Sequence, residues 1–192
     1  MRESLVERNT LETKIKIEIN LDGKVNANID TGIGFLDHML TLLAFHGKFD
    51  LNVTANGDLY VDDHHTVEDI AICLGKAFIE AIGDRKGIRR YSTTYIPMDE
   101  ALAFTSLDIS NRPYLVFNVN FQSEKIGNIS TQMFKEFFRA FVNESRITLH
   151  INLLYGENDH HIIESVFKSF ARSLKEACEV ISNDISSSKG VL

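Results

Sequence analysis

The sequence predicts an α+β protein made by duplication of one unit. Three observations carry this. Short runs alternate apolar and polar residues, the period of half-buried strands. Longer runs place apolar residues three and four apart, the period of helices packed on one face. The same order of runs then occurs twice, with a shared residue block at a fixed offset.

In the first half, Ile15, Ile17, Ile19 and Leu21 alternate as a strand. Asp22-Gly23 is a hairpin turn signal, and Val25, Ala27 and Ile29 read as the strand that follows it. Phe35 to His46 has helical spacing, and Gly47 just beyond it reads as the C-cap. Phe49, Leu51 and Val53 form another strand before the turn Asn56-Gly57, and a long helix runs from His64 to Ile82, closed by Gly83. Leu5 to Thr10 is a further candidate strand.

The second half repeats the order. Leu107 and Ile109 end a strand, Asn111-Arg112-Pro113 turns, and Leu115, Phe117, Val119 and Phe121 alternate. Thr131 to Asn143 reads as a helix with Ser130 or Thr131 as N-cap. Ile147 to Leu154 is a strand, and His160 to Val180 is the second long helix. Tyr91 to Ile96 adds a candidate strand. The boundary between repeats falls at 88/89, giving 1–88 and 89–192 within one compact unit. Asp63-His64-His65-Thr66-Val67-Glu68 matches Asp159-His160-His161-Ile162-Ile163-Glu164, an offset of 96 residues, half the chain. Neither half has the order of a Rossmann unit, and Gly32-Ile33-Gly34 lacks the third glycine of that fingerprint.

Composition narrows the function. The 192 residues are 44% hydrophobic and 24% charged, ordinary values for a soluble globular chain. No apolar stretch is long enough to span a bilayer, and the first residues lack a signal-peptide core, so the expected location is the cytoplasm. Cys73 and Cys178 read as buried free thiols. A net charge of −7 with no long basic run argues against nucleic acid as partner, while a small anionic substrate can still be held by a few local cations.

The chemistry lies in the histidines. Four of the seven sit in the two His-His-x-x-Glu blocks. Residues three or four apart share a helix face, so both histidines of a block converge on its glutamate. Adjacent histidines diverge by about 100° at ~3.6 residues per turn, which suits two metals better than one. Imidazole and carboxylate without thiolate fit manganese, iron or zinc in a water-accessible site. A single such block is as readily a solvated helix face, and only the repetition raises it above that. His38 opens the first short helix, 26 residues before His64, and Glu136 stands 24 residues before His160 at the corresponding point. His46 follows on the same side of the helix as His38, where a helix-end histidine favoured by the macrodipole is the plain alternative. His150 lies alone in a strand and reads as structural.

Taken together, Phe35-Leu36-Asp37-His38-Met39-Leu40 with His46-Gly47, and Asp63 to Asp69, resemble two signatures of the imidazoleglycerol-phosphate dehydratase family. Pro97 to Ala101, Asn111-Arg112-Pro113, Gly156 to His161 and the terminal Ser187 to Leu192 extend the resemblance over nearly the whole chain. It implies a two-layer sandwich of duplicated β-β-β-α-β-α halves related by pseudo-twofold symmetry, a ribosomal protein S5 domain 2-like arrangement. It implies two Mn²⁺ ions per active site, with other divalent metals possible, and a hollow homo-oligomer of twenty-four subunits with active sites between neighbours. With helix geometry, it suggests one ligand set of His38, His65, His160 and Glu164, and another of His64, Glu68, His161 and Glu136. Many members carry His where this chain has Glu136, which leaves open whether Glu136 ligates directly, through water or not at all. Glu12 matches the family's acid/base in position, though alone it reads as a surface strand residue. His46, Arg90, Arg112, Ser187, Ser188 and Lys189 match substrate- or phosphate-binding positions, and arginine's fork suits phosphate oxygens.

The family reaction converts D-erythro-imidazole glycerol phosphate to imidazole acetol phosphate plus water in L-histidine biosynthesis. The proton to be lost lies beside a hydroxyl and is not acidic. Metals on both ring nitrogens would stabilise an imidazolate, which can expel the adjacent hydroxyl as a diazafulvene forms. Loss of the neighbouring proton then gives an enol, which becomes the ketone. Two other classes use the same ligands: a di-metal hydrolase, and a protein whose metals only join subunits. Restoring Mn²⁺ to stripped protein and assaying dehydration discriminates among them.

Overall fold

The computed structural model describes residues 2–190. The first half contains β1 (Glu3–Asn9), β2 (Thr13–Asn20), β3 (Ala27–Asp30), α1 (Gly34–Gly47), β4 (Asp50–Gly57) and α2 (His64–Ile82). The second contains β5 (Tyr91–Met98), β6 (Ala101–Asp108), β7 (Tyr114–Asn118), the short β8 (Lys125–Ile126) and β9 (Ile129–Ser130), then α3 (Gln132–Ser145), β10 (Thr148–Tyr155) and α4 (Asp159–Cys178). Apart from the β8–β9 hairpin, each half is β-β-β-α-β-α, as expected.

The sheets have matching orders, β1-β2-β4-β3 and β5-β6-β10-β7. In each, the last strand of the unit pairs parallel with the third, as Ile29 faces Val53 and Phe117 faces Ile151. This corrects the reading of Asp22-Gly23 as a hairpin turn. β3 does not return beside β2, because β4 takes that place in antiparallel register. A parallel neighbour needs a crossover, and α1 supplies it. Gly23 is needed for another reason: a Cβ there would lie 2.4 Å from the Asp50 backbone nitrogen and side chain. Val25 precedes β3, with φ 72°.

Each sheet buries one face under its own helices. Ile15, Ile17 and Ile19 of β2 and Leu51 and Val53 of β4 turn inward, while Lys14, Lys16 and Asn52 stay out. The helices of one half meet those of the other, α1 on α4 and α2 on α3, so the four helices lie between the two sheets. The core at this seam is strongly aromatic on the second-half side. Phe134, Phe137, Phe138, Phe141, Phe167 and Phe170 are fully buried, and Phe138 packs on Phe117, Phe137, Phe167 and Phe170.

Helix ends differ from expectation in detail. Gly47 is the last residue of α1, and the left-handed cap is Lys48, φ 57°. Gly47 is required by space, since a Cβ would meet the Phe49 ring at 2.6 Å. The α3 cap is likewise a non-glycine residue, Arg146. At the other end of α3 the N-cap is Thr131, but its hydroxyl donates to the Ser123 carbonyl and caps nothing. Helix α4 ends at Cys178, short of Val180, and β6 and β7 stop before Ile109 and Val119. Both cysteines are buried free thiols. No described helix is long and apolar enough to cross a membrane.

Candidate metal centre and active site

Helices α1 and α4 bring three histidine and glutamate side chains together. His38 Nε2 and His160 Nε2 lie 3.1 and 2.9 Å from the same oxygen, Glu164 Oε1. The ligand atoms of the three residues lie within 4.8 Å of one another, and no other three His, Cys, Asp or Glu side chains among the described residues converge so closely. The other glutamate oxygen, Oε2, accepts from Lys168 Nζ at 2.5 Å. Burial pushes the Glu164 carboxyl up, but the bonds from Lys168, His38 and His160 outweigh it and hold the group down to about 2. An ionised carboxylate and two imidazole nitrogens aimed at one point are a donor set that fits a divalent metal.

Helices α2 and α3 build the related cluster. His64 Nε2 is 3.8 Å from Glu68 Oε2, one turn along α2. Glu136 of α3 stands where α1 carries His38, and Arg139 ion-pairs with Glu136 and approaches Glu68 Oε1 at 3.9 Å. This cluster is more open than the first. Both clusters therefore straddle the seam between halves.

The second histidine of each block points elsewhere. His65 Nδ1 is 3.0 Å from Asp58 Oδ2 and 3.8 Å from Glu12 Oε2. His161 Nδ1 is 2.7 Å from Glu100 Oε2, and its Nε2 is 3.6 Å from Asp99. In both cases the carboxylate bond raises the imidazole pKa. Glu100 is itself held near 2, by the Asn158 backbone N–H first and His161 second. A carboxylate on one ring nitrogen fixes the tautomer and leaves the other nitrogen as a ligand. Among the described residues, neither His65 nor His161 joins the His38–His160–Glu164 cluster.

The aspartate that precedes each block is structural. Asp63 accepts from the Ser130 N–H and hydroxyl, tying α2 to β9, which leads into α3. Asp159 accepts from the Gln122 and Ser123 N–H groups. Helix α4 is capped by Asn158, whose Oδ1 accepts from His160 and His161 N–H. Asp69, which closes the signature in α2, holds Arg8 and Thr13.

The predicted anion-binding residues occupy two places. His46 lines an open cleft of about 630 Å³ with Lys48, Arg172 and Lys175. Burial lowers its pKa, and Lys168, Arg172 and Lys48 lower it further, against an opposing pull from Glu164. Arg90 and Arg112 meet at Asp108, at the far end of the second sheet. Arg90 Nε and Nη2 reach Asp108 at 2.7 and 3.2 Å, and Nη1 donates to the Ser186 carbonyl at 2.6 Å. The Arg112 side chain is 65% exposed. Ser187, Ser188 and Lys189 follow Ser186 directly and are exposed or partly so, while Val191 and Leu192 of the tail motif lie outside the described residues. Strand β5 separates this end from the first cluster. Arg90 precedes its first residue, whereas Met98, its last, touches Lys168. Eight residues of extended chain span roughly 23 Å at ~3.3 Å per step.

Sequence reading missed Lys168, Arg139, Asp58 and Glu100. Two of these carry a signal: Lys168 is four residues after Glu164 and Arg139 three after Glu136, the helical ion-pair spacings. Asp58 and Glu100 sit in loops whose approach to the histidines only the fold reveals.

The family model for imidazoleglycerol-phosphate dehydratase matches residues 31–174. The chain is 71% identical over 192 residues to the Clostridioides difficile imidazoleglycerol-phosphate dehydratase, covering 100% of both chains. It is 54% identical over 187 residues to that of Caldicellulosiruptor saccharolyticus, covering 97% of this chain and 96% of the relative. The crystal structure of the Staphylococcus aureus enzyme superposes with TM-score 0.83 at 46% identity, covering 91% of this chain and 97% of that one. The Pyrococcus furiosus enzyme does so with TM-score 0.85 at 40% identity, covering 97% and 100%. The chain belongs to the imidazoleglycerol-phosphate dehydratase family, whose members are hydro-lyases of histidine biosynthesis.

Proposed function

We propose that the chain dehydrates D-erythro-imidazole glycerol phosphate to imidazole acetol phosphate in a metal-dependent reaction, as a cytoplasmic homo-oligomer of twenty-four copies. The observation that carries the metal dependence is the convergence of His38 and His160 on the ionised Glu164.

His38, His160 and Glu164 would hold one divalent ion with His65, and His64, Glu68 and Glu136 the other with His161. Mn²⁺ is our choice among metals with overlapping ligand preference. Such ions would supply Lewis acidity to the substrate ring. The chain's own residues do the rest. Asp58 and Glu100 orient His65 and His161 through Nδ1. Glu12, 3.8 Å from His65, is the acid/base. As the first hydroxyl leaves, the Glu12 carboxylate takes the proton from the carbon bearing the second hydroxyl to give the enol. The acid so formed protonates the carbon the hydroxyl left, and the enol O–H proton joins the departed hydroxide as water, leaving the ketone.

Active sites lie between copies in this reading. His65 and His161 turn away from the clusters of their own chain, and Arg90, Arg112 and the tail residues Ser187, Ser188 and Lys189 stand a strand's length from the first cluster. A neighbouring copy brings these groups to it, where the arginines, the tail and His46 bind the phosphate.

Glu12→Gln is expected to retain metal and substrate and to lose turnover by about 10²–10⁴-fold, read from steady-state kinetics and Mn²⁺ binding together. Near-normal turnover removes Glu12 from the mechanism. Metal-stripped protein that reassembles with Mn²⁺ but forms no imidazole acetol phosphate would instead assign the metals to subunit joining.

A further inference from the structure

We infer that Arg139 is a positioning residue for the second ligand cluster, holding Glu68 and Glu136 so that Glu68 Oε2 stays turned toward His64. The inference rests on the ligand reading proposed above and adds a residue to it.

The first cluster shows the device in its simpler form. Glu164 gives Oε2 to the Lys168 ammonium and Oε1 to the two imidazoles. A carboxylate bound on one oxygen by a cation cannot rotate freely, and its second oxygen is presented in one direction. Outer partners of this kind orient metal ligands.

The second cluster solves the same problem with another residue. Glu68 directs Oε2 to His64 Nε2 at 3.8 Å and Oε1 to Arg139 Nη2 at 3.9 Å. Arg139 Nη2 also pairs with Glu136 Oε2, an oxygen shut off from solvent. That pairing is by charge and not by an aligned hydrogen bond, so the guanidinium has N–H capacity left for Glu68. The position matching Lys168 at the 96-residue offset is Ile72, partly buried and packed against the apolar core. The position matching Arg139, by the 98-residue offset that sets Glu136 opposite His38, is Thr41. The two halves therefore do not share these cations.

The choice of arginine follows from Glu136. The first cluster has one carboxylate and two imidazoles, and a point charge suffices. The second has two carboxylates, which repel at short range unless a cation lies between them. A planar fork with several N–H groups spans two acids, whereas an ammonium on a flexible stem holds one.

The test titrates metal-stripped protein with Mn²⁺, reading free ion by electron paramagnetic resonance, alongside the melting temperature of the metal-free protein. Wild type is expected to bind two equivalents per chain, in two classes. Arg139→Gln weakens one class by about 10- to 100-fold, the class that Glu68→Gln also weakens. The other class and the melting temperature stay unchanged, and Arg139→Lys falls between. Unchanged or tighter binding in Arg139→Gln, the result if the guanidinium merely competes with the ion, overturns the inference. So does equal weakening of both classes with a lower melting temperature, which marks a prop of the fold. Should Arg139→Gln not fold, Arg139→Lys decides: binding equal to wild type in both classes overturns the inference. Fewer than two equivalents in wild type overturns the ligand reading and the inference together, and that failure is visible before any substitution is made.

Discussion

The two halves of the molecule share a plan and differ in material. Both place a His-His-x-x-Glu block at the start of the second helix, and both turn the second histidine to a loop carboxylate, Asp58 in one half and Glu100 in the other. At the seam they part. The α1–α4 cluster is compact, with two imidazoles on a buried carboxylate held by lysine, while the α2–α3 cluster is looser, with two carboxylates gathered by arginine. Their cores differ too. The helices α3 and α4 bury six phenylalanines, where α1 packs Leu36, Met39, Leu40 and Leu43. Duplication preserves what geometry demands, namely strand order and the direction of the block. The packing and the cations that balance each cluster are free to diverge.

This comparison can be broken at several points, the largest effect first. If the aromatic side of the seam is the main mechanical support, Phe138→Ala should cost about 3–5 kcal/mol of unfolding free energy by denaturant titration. Its counterpart Leu40→Ala should fall lower in the ~2–5 kcal/mol range of aliphatic deletions. A reversed order would remove the asymmetry of the core. Next comes the tighter cluster. Glu164→Gln deletes the common acceptor of His38 and His160 and should weaken one Mn²⁺ class by at least about a hundredfold, with Glu68→Gln weakening the other class less. Equal losses would make the clusters equivalent.

The orienting carboxylates should behave as a matched pair. Asp58→Asn and Glu100→Gln are each expected to cost about tenfold in Mn²⁺ affinity. The smallest effect concerns the thiols. Burial pushes Cys73 up to about 11 and Cys178 to about 12. A thiol titrates to the reactive thiolate only as pH rises through that value, so folded protein at pH 8 should resist alkylation at both positions. Stoichiometric labelling at pH 8 would show one of them to be accessible.

Much of this architecture is legible in the sequence, because repeat and periodicity are local signals. The helix His64–Ile82 and the alternation of Ile15, Ile17 and Ile19 state their own structure. The convergence of His38 with His160 and Glu164 is partly legible, since the two blocks and their offset announce ligands on matching elements. What is not legible depends on distant partners. Asp22-Gly23 has the composition of a hairpin, yet β4 wins the place beside β2 by pairing over its whole length. Gly47 looks like a cap, but the nearby Phe49 ring explains it. The β8–β9 hairpin around Gly127 is too short to leave a period. Asp58 and Glu100 reach their histidines through loops, where spacing carries no information.

The central claim is that one chain holds incomplete ligand sets and that copies complete each other. Intersubunit complementation tests it most directly. His38→Ala and His65→Ala each remove a ligand of the same metal, yet from different chains in this account. Co-assembled in equal amounts from metal-free subunits, the two inactive variants should recover roughly a quarter of wild-type activity, the share of sites that random mixing leaves intact at a head-to-tail contact. The double variant mixed with either single one should recover none. Activity of the mixture no higher than that of its parents would contradict the account, and would put both histidines in the site of a single chain.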